Sequence, residues 1–216
     1  MLQLEKIGRR YPGVVALDGV DFSLDPGEVV GLIGENGAGK STLMKILGGI
    51  IPPSEGTIRL DGVAHAALSV TEATRAGIAF VHQELEVFDN LDVAANVFIG
   101  REPCGFGPLR LIRTRELERR VQPLLDRLGA DFGPRTPVAD LSIAQRQMVE
   151  IAKALSIDAR VIIMDEPTSS LTLSETDRLL RIIAELKASG VAVIYISHRL
   201  AEVKQCADRV VCLRDG

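Results

Sequence analysis

The stretch Val29-Val-Gly-Leu-Ile-Gly-Glu-Asn-Gly-Ala-Gly-Lys-Ser-Thr42 decides how this chain is read. Its first five residues are an apolar run of buried-strand type, and Thr42–Leu47 carries a helical pattern. Between them Gly34–Ser41 reads G-x-x-x-x-G-K-S. Glycines let the backbone curl until successive N–H groups face an anion, and the next helix adds about half a positive charge at its N-terminus. Such a loop holds the phosphates of a nucleoside triphosphate. The candidate binding residues are therefore Gly34, Glu35, Asn36, Gly37, Ala38, Gly39, Lys40, Ser41 and Thr42. Lys40 is placed to bridge the β- and γ-phosphates, and the Ser41 hydroxyl to ligate Mg²⁺. A chance glycine-rich turn is the alternative, and the flanking strand and helix count against it.

Outward from this loop, short β-rich runs alternate with helix-period segments, which predicts an α/β fold with a mostly parallel central sheet. Strands are expected at Val14–Leu24, Glu28–Ile33, Thr57–Leu60, Ile78–Val81, Val161–Met164, Val191–Ser197 and Arg209–Leu213. The early ones carry Asp-Pro-Gly and Asp-Gly punctuation, so that region is expected to be antiparallel. The run Val161-Ile-Ile-Met-Asp165-Glu166-Pro167 ends a buried-type strand in two carboxylates. Ligands of open parallel sheets bind beyond the carboxyl ends of the strands, so both acids are expected to face the nucleotide. Asp165 suits Mg²⁺, and Glu166 suits polarising the attacking water.

Three helices are expected. Arg115–Leu128 places Leu117, Val121, Leu124, Leu125 and Leu128 on one face, with Pro123 predicting a kink or two pieces. Ser142–Leu155 carries the stripe Ala144, Met148, Ile151, Ala152 and Leu155, and opens with the S-x-x-Q spacing of a capping box at Ser142 and Gln145. Thr172–Ala188 is stopped by Gly190. The last strand runs into Asp215-Gly216, a hairpin-turn pair. The chain is therefore expected to continue beyond a C-terminal truncation.

The chain has 216 residues with 25 basic and 29 acidic side chains, a net charge of -4, which argues against a general nucleic-acid binder. No apolar run approaches the roughly 20 residues of a membrane span, and no secretory signal is visible. Cys104, Cys206 and Cys212 lack metal-ligand spacing and read as free thiols of a cytosolic protein.

The loop at Gly34–Ser41, Gln83 after a strand, LSIAQ, VIIMDEP and His198 after VAVIYIS stand in the order found in ABC ATPases, which this chain resembles from Tyr11 to its last residue. The resemblance implies a P-loop NTPase core over 1–84 and 157–216. It includes a small antiparallel β subdomain, and an α-helical subdomain is inserted at 85–156. It also implies roles. Tyr11 resembles the aromatic that stacks on adenine. Gln83 resembles the Q-loop glutamine that touches Mg²⁺ and the attacking water. His198 resembles the switch histidine at the γ-phosphate, completing a catalytic group of Glu166, His198, Gln83 and Lys40. Ser142 and Gln145 resemble the signature loop that meets ATP bound on the opposite subunit. Ser41, Gln83 and Asp165 would hold the metal. Two departures stand out: LSIAQ replaces both glycines of LSGGQ, and the segment in the D-loop place ends in Thr172 rather than Asp.

The runs LSIAQRQMVEIAKAL, MDEPTSSLT, VIYISHRLAEV and VHQELEVFDNLDVAANVFIGREP resemble the first ATPase half of ribose- and galactose-type importers. That implies ATP and Mg²⁺ as ligands and a second, fused ATPase domain. A membrane permease would be contacted through the Q-loop and helical subdomain, with a periplasmic sugar-binding protein acting indirectly. The implied place is peripheral, on the cytoplasmic side of the inner membrane. Rival readings are a regulatory half with little hydrolysis, an ABC ATPase of DNA repair or translation, and a GTPase. About a hundred residues separate Ser41 from Ser142, too few for the long coiled coils of the repair enzymes, and no Asn-Lys-x-Asp base-reading motif is present.

Overall fold

A computed structural model describes residues 1–82, 85–105 and 111–216. They form two compact units, Met1–Phe80 with Ala159–Glu166 and Ile183–Gly216, and Val81–Asp158 with Pro167–Ile182.

The first unit carries two sheets among the described residues. One is antiparallel, in the order β2-β1-β4-β5, from β1 (Leu2–Tyr11), β2 (Val14–Leu24), β4 (Glu55–Leu60) and β5 (Val63–His65). The antiparallel expectation holds for Val14–Leu24 and Thr57–Leu60, whereas the strand after Asp25-Pro26-Gly27 leaves for the parallel sheet. The sequence does not announce β1, although it pairs with both β2 and β4. Its apolar alternation breaks where the register shifts between Leu4 and Ile7, and Lys6 there adopts φ 51°. A bulge moves later side chains to the other face and erases the two-residue period.

The second sheet has the order β11-β3-β10-β9-β6, from β3 (Val29–Ile33), β6 (Ile78–Val81), β9 (Val161–Asp165), β10 (Ala192–Ile196) and β11 (Arg209–Cys212). The pairs β11–β3, β3–β10 and β10–β9 are parallel. Strands β3, β9 and β10 read as apolar runs because both faces of a parallel sheet are covered there; β10 is buried at every position, whereas the edge strand β11 is largely exposed. Val30, Leu32, Ile163, Ile194 and Ile196 pack with Leu43, Ile46 and Leu47 of α1 (Lys40–Leu47) in one core. Each such side chain stabilises the fold by about 1.5–3 kcal/mol on burial. The remaining elements here are α2 (Val70–Arg75), capped by a Ser69–Glu72 box, and α7 (Leu200–Cys206). Burial pushes the Cys206 thiol up to about 11, which leaves it chemically quiet.

In the second unit, α3 (Val93–Phe98), α4 (Thr114–Leu128) and α5 (Ile143–Leu155) pack on one another. A two-stranded β7–β8 pair (Cys104–Gly105 and Leu111–Ile112) precedes α4, a 3-10 turn (Val138–Asp140) precedes α5, and α6 (Leu173–Ala188) belongs to this unit as far as Ile182. Helix α4 is one helix, with Pro123 inside it. The expected division does not occur because Pro123 and Arg119, whose carbonyl loses its partner, both face solvent. Leu117, Val121, Leu125 and Leu128 are buried as the heptad-like stripe requires, while Leu124 is half-buried. Helix α5 departs further from its expected one-sided stripe: Gln147–Ala152 are buried at six successive positions, and Ala144 and Leu155 only partly. Neighbours on two sides, α3 and α4, account for this.

Candidate functional site

Parallel register sets the site. Ile196 of β10 pairs with Leu32 of β3 on one side and with Asp165 of β9 on the other, and Cys212 of β11 pairs with Ile33. Strands that run the same way and end level deliver their succeeding loops to one edge. The Gly34–Ser41 loop, Glu166 and His198 therefore emerge together, although more than 150 positions separate Lys40 from His198 in sequence.

The loop takes the strained course its glycines permit. Gly37 and Gly39 adopt φ 85° and 103°. At Gly39 a Cβ would lie 2.5 Å from the Ala16 carbonyl oxygen and 2.8 Å from Leu17, so glycine is required for space as well as for angle. Ala38 N–H donates to the Glu35 carbonyl at 3.1 Å, closing the curl. Helix α1 then starts with no side-chain cap and no acidic residue in its first turn. Its leading amides are open to an anion. The half-buried Lys40 folds over the loop and donates to the carbonyls of Gly34 at 2.7 Å and Glu35 at 3.0 Å. A cavity of about 580 Å³ borders the same loop, lined by Gly34, Glu35, Asn36, Ser197 and His198 among others.

Across from the loop, Glu166 sits at φ 46° with its N–H bonded to the Ile196 carbonyl at 2.9 Å. This left-handed backbone costs a non-glycine residue about 1–2 kcal/mol. It turns the carboxylate toward His198, whose Nδ1 lies 3.0 Å from Glu166 Oε1. Asp165 precedes it, half-buried at the strand end. The exposed Ser41 hydroxyl and the Asp165 carboxylate are hard oxygen donors of the kind Mg²⁺ takes. Uncapped amides, one ammonium and level carboxylates fit a phosphate chain that carries Mg²⁺. Among the described residues no group of three His, Cys, Asp or Glu forms a metal cluster of its own. Gln83 lies outside the described residues, as does Glu84.

Tyr11 ends β1 and is 39% exposed. The Arg9 guanidinium stacks on its ring at 4.8 Å. Sequence reasoning missed Arg9, although residues two apart on a strand share a face. It also missed the contact between Glu166 and His198, for which no local pattern exists.

In the second unit, Ser142 caps α5: its hydroxyl oxygen accepts Gln145 N–H at 3.3 Å, while Gln145 Oε1 accepts Ser142 N–H at 2.9 Å. Gln145 Nε2 also donates to Asp131 at 2.8 Å. Because Ser142 Oγ is an acceptor in this box, its own proton remains available to an anion. Thr172 makes the equivalent box with Glu175 at the start of α6. Residues 86–89 are tied to α3 and α5: Asn96 holds the backbone of Phe88, Arg146 pairs with Asp89 at 2.8 Å, and Lys153 donates to the Glu86 carbonyl at 3.2 Å.

The model of the family described as ABC transporter matches residues 17–169, well over half of the chain. The chain belongs to the ABC transporter family. A relative from Burkholderia ambifaria named for ribose/galactose/methyl galactoside import ATP-binding is 56% identical over all 216 residues, which span 41% of its length. The ribose import ATP-binding protein RbsA 1 of Rubrobacter xylanophilus is 51% identical, and the chain spans 43% of it. The chain thus covers about two fifths of these ABC proteins. Among solved structures, a nucleotide-free ATP-binding cassette from an ABC transporter shares 28% identity and a TM-score of 0.87, all of this chain aligning with 88% of that one. A cassette described as an ADP conformation gives 27% and 0.86, again with 88% covered. The architecture is that of ABC ATPase cassettes.

Proposed function

We propose that this chain is an ATP-binding and ATP-hydrolysing domain that powers import of a simple sugar through a membrane permease. The observation that carries it is the level ending of β3, β9 and β10, which brings the Lys40 loop, Glu166 and His198 to one edge. In this reading the amides of residues 34–42 and the Lys40 ammonium hold the β- and γ-phosphates, and the exposed face of Tyr11 takes the adenine. Ser41, Asp165 and Gln83 hold Mg²⁺, which when bound neutralises charge on the transferring phosphoryl group. Glu166 accepts a proton from the attacking water, and His198 donates to the γ-phosphate while its other ring nitrogen faces Glu166. No covalent intermediate is needed, because positioning and charge stabilisation lower this barrier.

The α5 N-terminus is proposed to work on another subunit. Ser142, Gln145 and the neighbouring amides grip the γ-phosphate of ATP held by a partner cassette, so that two domains close on two nucleotides. The core would be 1–84 with 157–216 and the helical subdomain 85–156, the latter meeting the permease at the cytoplasmic face of the cell membrane. A periplasmic sugar-binding protein would feed the permease. The names of the Burkholderia and Rubrobacter relatives support the sugar class. Among the described residues no helix is long and apolar enough to cross a membrane.

One observation favours a second reading. The Ser142 and Gln145 side chains are already engaged in capping α5 where LSGGQ would have its glycines, as a regulatory half with little hydrolysis would allow. Phosphate release decides between them. The full-length protein with its permease should release phosphate on sugar loading at least ~100-fold faster than its Glu166→Gln form. Equal rates would replace hydrolysis with regulation.

A further inference from the structure

Glu202 is 9% exposed on α7. A buried carboxylate is unfavourable unless it is paired and hydrogen-bonded. Here it is both. Its Oε2 accepts the hydroxyl of Tyr195 at 2.8 Å and, at a longer 3.5 Å, that of Ser197. Its Oε1 pairs with Arg199 Nη1 at 3.2 Å. Ser197 Oγ in turn accepts the Arg199 backbone N–H at 3.0 Å. Tyr195 is completely buried in β10, the strand that lies between β3 and β9.

These three partners bracket His198, at one and three residues before it and one after it. His198 itself is two-thirds exposed, its side chain at 67%, so packing does little to fix its imidazole. What fixes it is the turn on which it stands. One carboxylate, anchored to the centre of the sheet through Tyr195, ties down both flanks of that turn. We infer that Glu202 is the positioning residue for His198, holding the β10–α7 turn so that the imidazole meets Glu166 and whatever lies beyond it. The consequence for turnover rests on the proposed role of His198 at the γ-phosphate.

The test uses the full-length protein carrying Glu202→Gln, Tyr195→Phe, His198→Ala or the Glu202→Gln/His198→Ala pair. Glu202→Gln keeps the side chain's shape and should leave KM for ATP within about twofold while kcat falls on the order of 10-fold or more, as when a reacting group is displaced by about 1 Å. Tyr195→Phe should cause a smaller loss in the same direction, and it carries the test if the glutamine variant does not fold. In the pair, no loss should appear beyond that of His198→Ala, because a residue acting through His198 is silent without it. Independently of turnover, the NMR signal of ¹³C-labelled His198, assigned by its disappearance in His198→Ala, should shift in Glu202→Gln and in Tyr195→Phe.

An unmoved His198 signal with wild-type kcat in both variants would overturn the inference. So would losses that multiply in the pair. A wild-type protein with no hydrolysis above Glu166→Gln would instead overturn the proposed function, and the histidine signal alone would then decide the positioning.

Discussion

At the residue scale the proposed function divides the work between Lys40, which would hold the nucleotide, and Glu166, which would turn it over. Lys40→Ala removes two charge-assisted donors from the loop and should lower nucleotide affinity by about 3 kcal/mol or more, on the order of 100-fold in Kd by titration calorimetry. Glu166→Gln should bind nucleotide with nearly unchanged Kd and lose turnover by a factor on the order of 10²–10⁴ in phosphate release. Gly39→Ala tests the loop's geometry. At φ 103° and with the Ala16 carbonyl in the way, it should cost at least about 1–2 kcal/mol in chemical denaturation and weaken nucleotide binding as well. The loop was legible in sequence because its glycines, lysine and serine are contiguous. Glu202 was not: a carboxylate on a short helix reads as solvated surface until the strand beneath it is known to present Tyr195.

At the scale of elements, two helices carry predictions. Pro123 sits inside α4 on its solvent face, so Pro123→Ala restores a hydrogen bond without disturbing packing. It should raise stability by about 1–3 kcal/mol in urea denaturation. In α5, burial pushes the Glu150 carboxyl above its ordinary value of 4.5, with Lys153 pulling it back only in part. A carboxyl raised in the folded state contributes stability in full below the unfolded value and loses it as pH rises through the folded value. Glu150→Gln keeps a neutral group of similar shape. Its stability relative to wild type should therefore improve as pH rises from the acid range to above neutrality. A wild-type advantage growing with pH would show that Lys153 outweighs burial. The two helices depart from the sequence reading for different reasons: in α4 the proline faces solvent and is tolerated, whereas in α5 periodicity reports how many faces are apolar, not how many neighbours arrive. Strand β1 shows the converse, a real element whose period was erased by its own bulge at Lys6.

At the scale of the molecule, the parallel order of the sheet gives scattered motifs a single location. Composition and alternation announced an α/β fold with an antiparallel companion, but strand order was not readable, since nothing local in VAVIYIS says that it lies between β3 and β9. That placement makes Asp165, Glu166 and His198 neighbours of the Lys40 loop. The central claim is that these groups close on one triphosphate. A crystal structure of the Glu166→Gln protein grown with ATP and Mg²⁺ tests it most directly. The β- and γ-phosphates should be seated on the amides of residues 37–42, with Lys40 drawn off the Gly34 carbonyl onto them and His198 facing the terminal phosphate. Nucleotide density away from this loop, or phosphates seated there with residues 165, 166 and 198 turned elsewhere, would contradict it.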